Sequence, residues 1–133
     1  MFEDKLNEAI KLLLEYKPII IYLFGSASRE ELREDSDIDI AFLTKEDIHE
    51  YDVFMKSQEL VDIFKREVDL IDISKASTVF KAQIVGNGRV IYCLDDKERM
   101  FFEMRSFKEY VMFNDERKCI IEKIKERGSI YGK

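Results

Sequence analysis

Proline is nearly absent from this 133-residue chain, which has only Pro18. A proline-rich linker between domains is thereby excluded, and one domain over residues 1–133 is expected, a length typical of single domains at about 100–150 residues. Cysteine is almost as scarce: Cys93 and Cys119 have no metal-ligand spacing and are too few for a disulfide framework, so reduced, structural thiols in a cytoplasmic protein are expected. His49 is the only histidine. With no second His or Cys nearby it makes no zinc site, and its place at a helix start suits capping or the surface. No segment approaches the ~20 apolar residues that cross a bilayer, and the opening MFEDKLNEAIKLLLEYK is charged and helical in period rather than a signal peptide. Basic residues are not in excess either. The 22 Lys and Arg against 28 Asp and Glu leave a formal charge of −6, which argues against direct binding to a nucleic-acid backbone.

What the chain does have is an apolar share of 46% and a charged share of 38%, the balance of a globular domain with a heavily charged, mixed surface. Leu6, Ile10, Leu13 and Leu14 give residues 3–16 a helical stripe, which Pro18 ends. The run Ile19 to Phe24 is continuously apolar and of strand length, suited to a strand covered on both faces. Ser28 and Glu31 have capping-box spacing for a short helix. Asp37 to Leu43 reads as a second strand, with Ile38, Ile40 and Phe42 on one face and Asp37, Asp39 and Ala41 on the other. A helix from Asp47 or Glu50 to about Arg66 is expected to bury Phe54, Leu60, Val61 and Phe64. A strand over Val68 to Ile73, a helix over Ser77 to Val85 closed by Gly86-Asn87-Gly88, and a strand over Arg89 to Leu94 follow. From about Asp96 the chain is helical, with a break expected near Asn114-Asp115. Alternating helices and strands predict an α/β (α+β) fold, a small sheet with flanking helices: a core over about residues 1–95 and C-terminal helices over about 96–128.

The second strand raises the chemical question. An unpaired carboxylate in a buried strand costs roughly several kcal/mol, so Asp37 and Asp39 need a cation. Two residues apart on a strand, their carboxylates share a face and can converge. Mg²⁺ fits, because it takes one or two carboxylates and completes its shell with water and phosphate oxygens. Gly25-Ser26, directly after a strand and before a helix, offers free backbone N–H groups and a hydroxyl to a phosphate. Asp69, entering a third strand, can complete a metal site and accept a proton from an attacking hydroxyl. Asp72 is a rival of opposite strand parity. A lone Asp-x-Asp before a strand is also ordinary turn chemistry, and a lone Gly-Ser turn says less. It is the compound pattern that leaves few structural excuses.

The run from Gly25 to Asp39 resembles the signature of the minimal nucleotidyltransferase (MNT) family of the polymerase-beta-like superfamily, with Gly-Ser followed some ten residues later by Asp-x-Asp. Asp69 falls where that family has its third carboxylate, and FKAQIVGNGRVIY and FFEMRSFKEYVMF resemble its later segments, so the likeness covers nearly the whole chain. The resemblance implies a mixed-sheet nucleotidyltransferase fold that binds ATP with two Mg²⁺ and transfers AMP to a hydroxyl. It also implies an antitoxin whose partner is a HEPN toxin and whose acceptor is a tyrosine of that toxin, with which it assembles. By position, Gly25 and Ser26 would hold the triphosphate with Arg29 as a further phosphate contact, Asp37 and Asp39 both metals, and Asp69 one metal and the nucleophile. Glu30 stands where the family commonly has glycine, which bears on the rate. Two alternatives are an antitoxin that neutralises chiefly by binding, and a nucleotidyltransferase acting on a small molecule. For the first, Phe101, Met104, Phe107 and Val111 form a helical stripe, and Met100, Phe102, Tyr110 and Met112 add apolar surface beyond what one small domain can bury. Tyr51 and Tyr131 are candidate self-modification acceptors.

Overall fold

The computed structural model describes residues 2–25 and 37–130, with side chains to position 114. Its elements run α1 (Phe2–Leu13), a 3₁₀ turn (Leu14–Tyr16), β1 (Pro18–Phe24), β2 (Ile38–Thr44), α2 (Glu50–Phe64), β3 (Val68–Asp72), a 3₁₀ turn (Ile73–Lys75), α3 (Thr78–Asn87), β4 (Arg89–Cys93) and α4 (Asp96–Ile130). The strands form one mixed sheet in the order β3-β2-β1-β4, with β1 antiparallel to β2 and β4, and β2 parallel to β3.

Strand alternation divides the core into two layers. Ile21 and Leu23 of β1, with Ile38, Ile40 and Phe42 of β2, face α1 and α2 and pack on Leu6, Leu13, Leu60 and Phe64. Ile20 and Tyr22, with Ala41, face the other way toward Ile84 of α3 and Phe102 of α4. β1 is therefore covered on both faces, as its unbroken apolar run implies, and β2 takes the expected parity. Asp39 falls on the α3 face with Ala41.

Several boundaries and faces differ from the sequence expectation. Leu14 is exposed rather than part of the α1 stripe, because the helix tightens into a 3₁₀ turn there and the larger rotation per residue brings Tyr16 inward instead. β3 stops at Asp72, whose carboxylate accepts from Ser74 N and Oγ and so starts a turn. β4 ends at Cys93, one residue early. α2 starts at Glu50 with His49 as its cap, Nδ1 accepting from Tyr51 N at 3.0 Å, and Lys65 in the left-handed region closes it. α3 runs through Gly86 to Asn87, held by the Gly88 N–H on Ile84 O. Phe54 is 58% exposed, not buried with Leu60 and Phe64, because the buried line of α2 runs through Val53, Ser57, Leu60 and Phe64, and Phe54 lies about 100° around the helix from Val53. α4 continues through Asn114-Asp115 without the expected break. One Asn costs a helix only about 0.7 kcal/mol, and no Pro or Gly stands there to force an end. The helix suggested by Ser28 and Glu31 lies outside the described residues, as does Tyr131.

Candidate active site

Three strand ends meet at the mouth of the sheet's α3 face. β1 and β2 are registered with Phe24 opposite Asp39, and β2 and β3 with Asp39 opposite Asp69. Neighbouring strands lie about 4.8 Å apart, so the two carboxylates are adjacent by construction. Gly25 follows Phe24 directly, at φ 75, a conformation that favours glycine. A side chain there would also strike Oδ2 of Asp39, so the backbone passes against the acid with no room for a Cβ.

The acids repel. Asp39 is pushed up from 3.8 to about 6, first by burial, then by its hydrogen bond with Asp69, then by the negative charges of Asp69 and Asp37. Asp37, expected inside the second strand, stands exposed just before β2 begins at Ile38, so the cost of burial falls on Asp39 and not on it. Among the described residues no three His, Cys, Asp or Glu side chains close into a metal cage. What is present is a carboxylate pair open to the cavity, with a third acid beside it. That donor set fits Mg²⁺, which keeps part of its shell for water and substrate phosphate, better than it fits an ion needing an all-protein cage. Charge crowding on Asp39 is the imbalance such an ion would relieve.

Asp72 is not part of this site. It lies on the opposite face of β3, buried, with its Oδ1 tied to Ser74 and Lys75 Nζ 4.0 Å from Oδ2. Ser26, Arg29 and Glu30 lie outside the described residues. Sequence reasoning missed the aromatic surroundings: Phe24 and Phe80 meet edge to face at 5.9 Å beside the acids, and Phe54 of α2 lines the same cavity. The signal in Phe54 was ambiguous, since Val53 and Phe54 are neighbours in sequence and either could start the buried line of α2.

The polymerase beta nucleotidyltransferase family matches residues 7–97, a span that holds Gly25 and all three acids. The chain belongs to that family. Among curated proteins this nucleotidyltransferase is 32% identical over 120 residues to the protein adenylyltransferase MntA of Shewanella oneidensis, covering 89% of this chain and 86% of MntA. Among solved structures it matches a toxin–antitoxin crystallised with AMP-PNP at TM-score 0.79 and 32% identity, covering 93% of this chain and 98% of that one. It also matches a complex of MNT antitoxin with the tri-AMPylated HEPN toxin of Shewanella oneidensis, at TM-score 0.78, 31% identity and the same coverage. The mixed sheet, the helices on both its faces and the long C-terminal helix are thus those of a nucleotidyltransferase fold.

Proposed function

We propose that residues 1–133 form one transferase domain, a Mg²⁺-dependent protein adenylyltransferase that moves AMP from ATP to a tyrosine hydroxyl of a HEPN-type toxin and so acts as its antitoxin in the cytoplasm. The observation that carries this reading is the register that sets Asp39 beside Asp69 and against Gly25, in a chain that matches an adenylyltransferase over most of its length.

The residues divide the work by position. Gly25 lets the backbone come close to the triphosphate, and Ser26 and Arg29 supply a hydroxyl and a guanidinium to its oxygens. Asp37, Asp39 and Asp69 would hold two Mg²⁺, which supply charge neutralisation at the phosphates and at the oxygens entering and leaving. Asp69, at the β3 side, takes the phenolic proton. The tyrosine oxygen bonds to the α-phosphorus while the bond from that phosphorus to pyrophosphate breaks, and pyrophosphate leaves with the electron pair. Positioning and preorganised charge provide most of the rate, as in phosphoryl transfer generally.

Partner docking has support of its own. Phe101 and Met104 of α4 are 70% and 65% exposed, and Phe107 and Val111 continue the ridge along the helix. α4 instead turns Phe102 into the core beside Tyr22 and Ile84, with Ser106 buried on the same face of the helix. Such a ridge suits a protein partner, and it keeps a second reading in play, neutralisation by binding alone. One experiment separates them: Asp37→Asn is incubated with toxin, Mg²⁺ and radiolabelled ATP while toxin activity is followed. Loss of both transfer and neutralisation is expected. Transfer that persists removes the metal assignment, and neutralisation without transfer favours the binding reading.

A further inference from the structure

The acids stand at one end of a longer groove. Cavities of about 610 and 390 Å³ share Glu50, Val53, Leu70, Ile71 and Phe80, and so run together along the outer edge of β3. Among the described residues no strand lies beyond that edge. Leu70 and Ile71, on opposite faces of the strand, are only half-buried, in contrast to the fully covered β1. An edge of this kind presents unpaired backbone groups and alternating apolar pockets, the features by which a sheet accepts an extended chain.

Strand order says from which side the acceptor arrives. Across the sheet the sequence is Gly25 after β1, then Asp39 on β2, then Asp69 on β3, then the groove. In-line displacement puts the entering and leaving oxygens on opposite sides of phosphorus. With the triphosphate at Gly25, pyrophosphate leaves on the β1 side, and the nucleophile enters over Asp69 from the groove. The walls are also charged. Glu50 and Glu67 are exposed along it, and Lys75, the one cationic side chain on its walls among the described residues, is engaged by Asp72 and the Ile48 carbonyl.

We propose that the groove binds an extended segment of the acceptor protein, laid against β3 as an added strand, with its acceptor hydroxyl at Asp69 and basic side chains opposite Glu50 and Glu67. This rests on the adenylyltransferase reading, and adds that local sequence around the tyrosine, not the partner's folded surface alone, is recognised. Leu70 and Ile71 take alternate side chains of the segment, and the two glutamates favour lysine or arginine beside the tyrosine.

The test uses the full chain with ATP, Mg²⁺ and short capped peptides that carry a single tyrosine flanked by lysines or by glutamates. The lysine peptide is expected to be adenylylated with a KM about tenfold below that of the glutamate peptide, a preference that shrinks as salt rises. In Glu50→Lys/Glu67→Lys the preference should reverse, and hydrogen exchange at Val68–Asp72 should slow when the lysine peptide is added to the unaltered chain. Equal use of both peptides, an unchanged preference in the double variant, or protection on α4 in place of β3 overturns the proposal. A fluorescent ATP analogue is titrated in parallel. Nucleotide binding with no peptide modified overturns the groove alone, whereas no nucleotide binding overturns the transferase reading and the groove with it.

Discussion

Replacing Asp39 by Asn should stabilise the ligand-free protein while destroying its activity, an unusual pairing that follows from the crowding of the acids. Asp39 is raised from 3.8 to about 6 by burial, by Asp69 and by the charge of Asp37. The folded state therefore holds a proton that the unfolded state releases, between about pH 4 and about pH 6. Stability from this group is greatest at the acid end and falls as pH rises through that window. At about 1.4 kcal/mol per pH unit the full penalty at neutral pH has an upper bound of about 3 kcal/mol. Solvent screening of a half-buried side chain reduces it to roughly 1–2 kcal/mol. Asparagine has the same shape, carries no charge and donates to Asp69, so Asp39→Asn should recover that amount and raise the Tm by roughly 3–6 °C at pH 7.5. By pH 4.5 the difference should shrink to about a third of that, and below about pH 4 the two proteins should melt together. Thermal melts of both across pH 4.5–7.5, without Mg²⁺, check this. A variant that melts lower than the parent at pH 7.5, or that keeps the parent's pH dependence, would refute the argument from charge crowding.

Other outcomes follow from the same contacts. Gly25→Ala should lose at least 1 kcal/mol of stability, roughly, from the left-handed backbone alone, and AMP transfer should fall at least a hundredfold, because the new methyl displaces the Asp39 carboxylate; melts and labelled-ATP assays measure the two effects. Mg²⁺ with a non-hydrolysable ATP analogue should raise the Tm of the parent and leave that of Asp37→Asn/Asp39→Asn almost unmoved. Phe101→Ser/Met104→Ser should keep its Tm within about a degree, since both side chains are already exposed, and should weaken toxin capture in a pull-down. Ser77→Ala removes the oxygen that accepts from Phe80 N at 3.1 Å and should cost about 1 kcal/mol in denaturant unfolding.

Much of the fold was legible because period and punctuation agreed. Ile19 to Phe24 had nowhere to lie but the middle of a sheet, and Asp37-Ile38-Asp39-Ile40 declared its faces by alternation alone. The adjacency of Asp39 and Asp69 was partly legible: each opened a strand, but only the parallel register of β2 and β3 makes them opposite neighbours. What escaped depended on how elements sit in space. Phe54 is in helical step with Val61, yet the buried line of α2 runs through Val53, Ser57, Leu60 and Phe64 and leaves Phe54 to line the acid cavity. Leu14 fits the α1 stripe, yet a tightened last turn rotates it into solvent. The groove along β3 could not be read at all, since strand order decides which edge is open and no local pattern encodes it.

The most direct measurement is the intact mass of the partner toxin after incubation with ATP, Mg²⁺ and either the parent chain or Asp39→Asn. Whole adenylyl increments on tyrosine with the parent, and an unmodified toxin with the variant, are the predicted result. A toxin carrying the same increments from both proteins would contradict the account, because the carboxylate pair beside Gly25 would then have no part in the transfer.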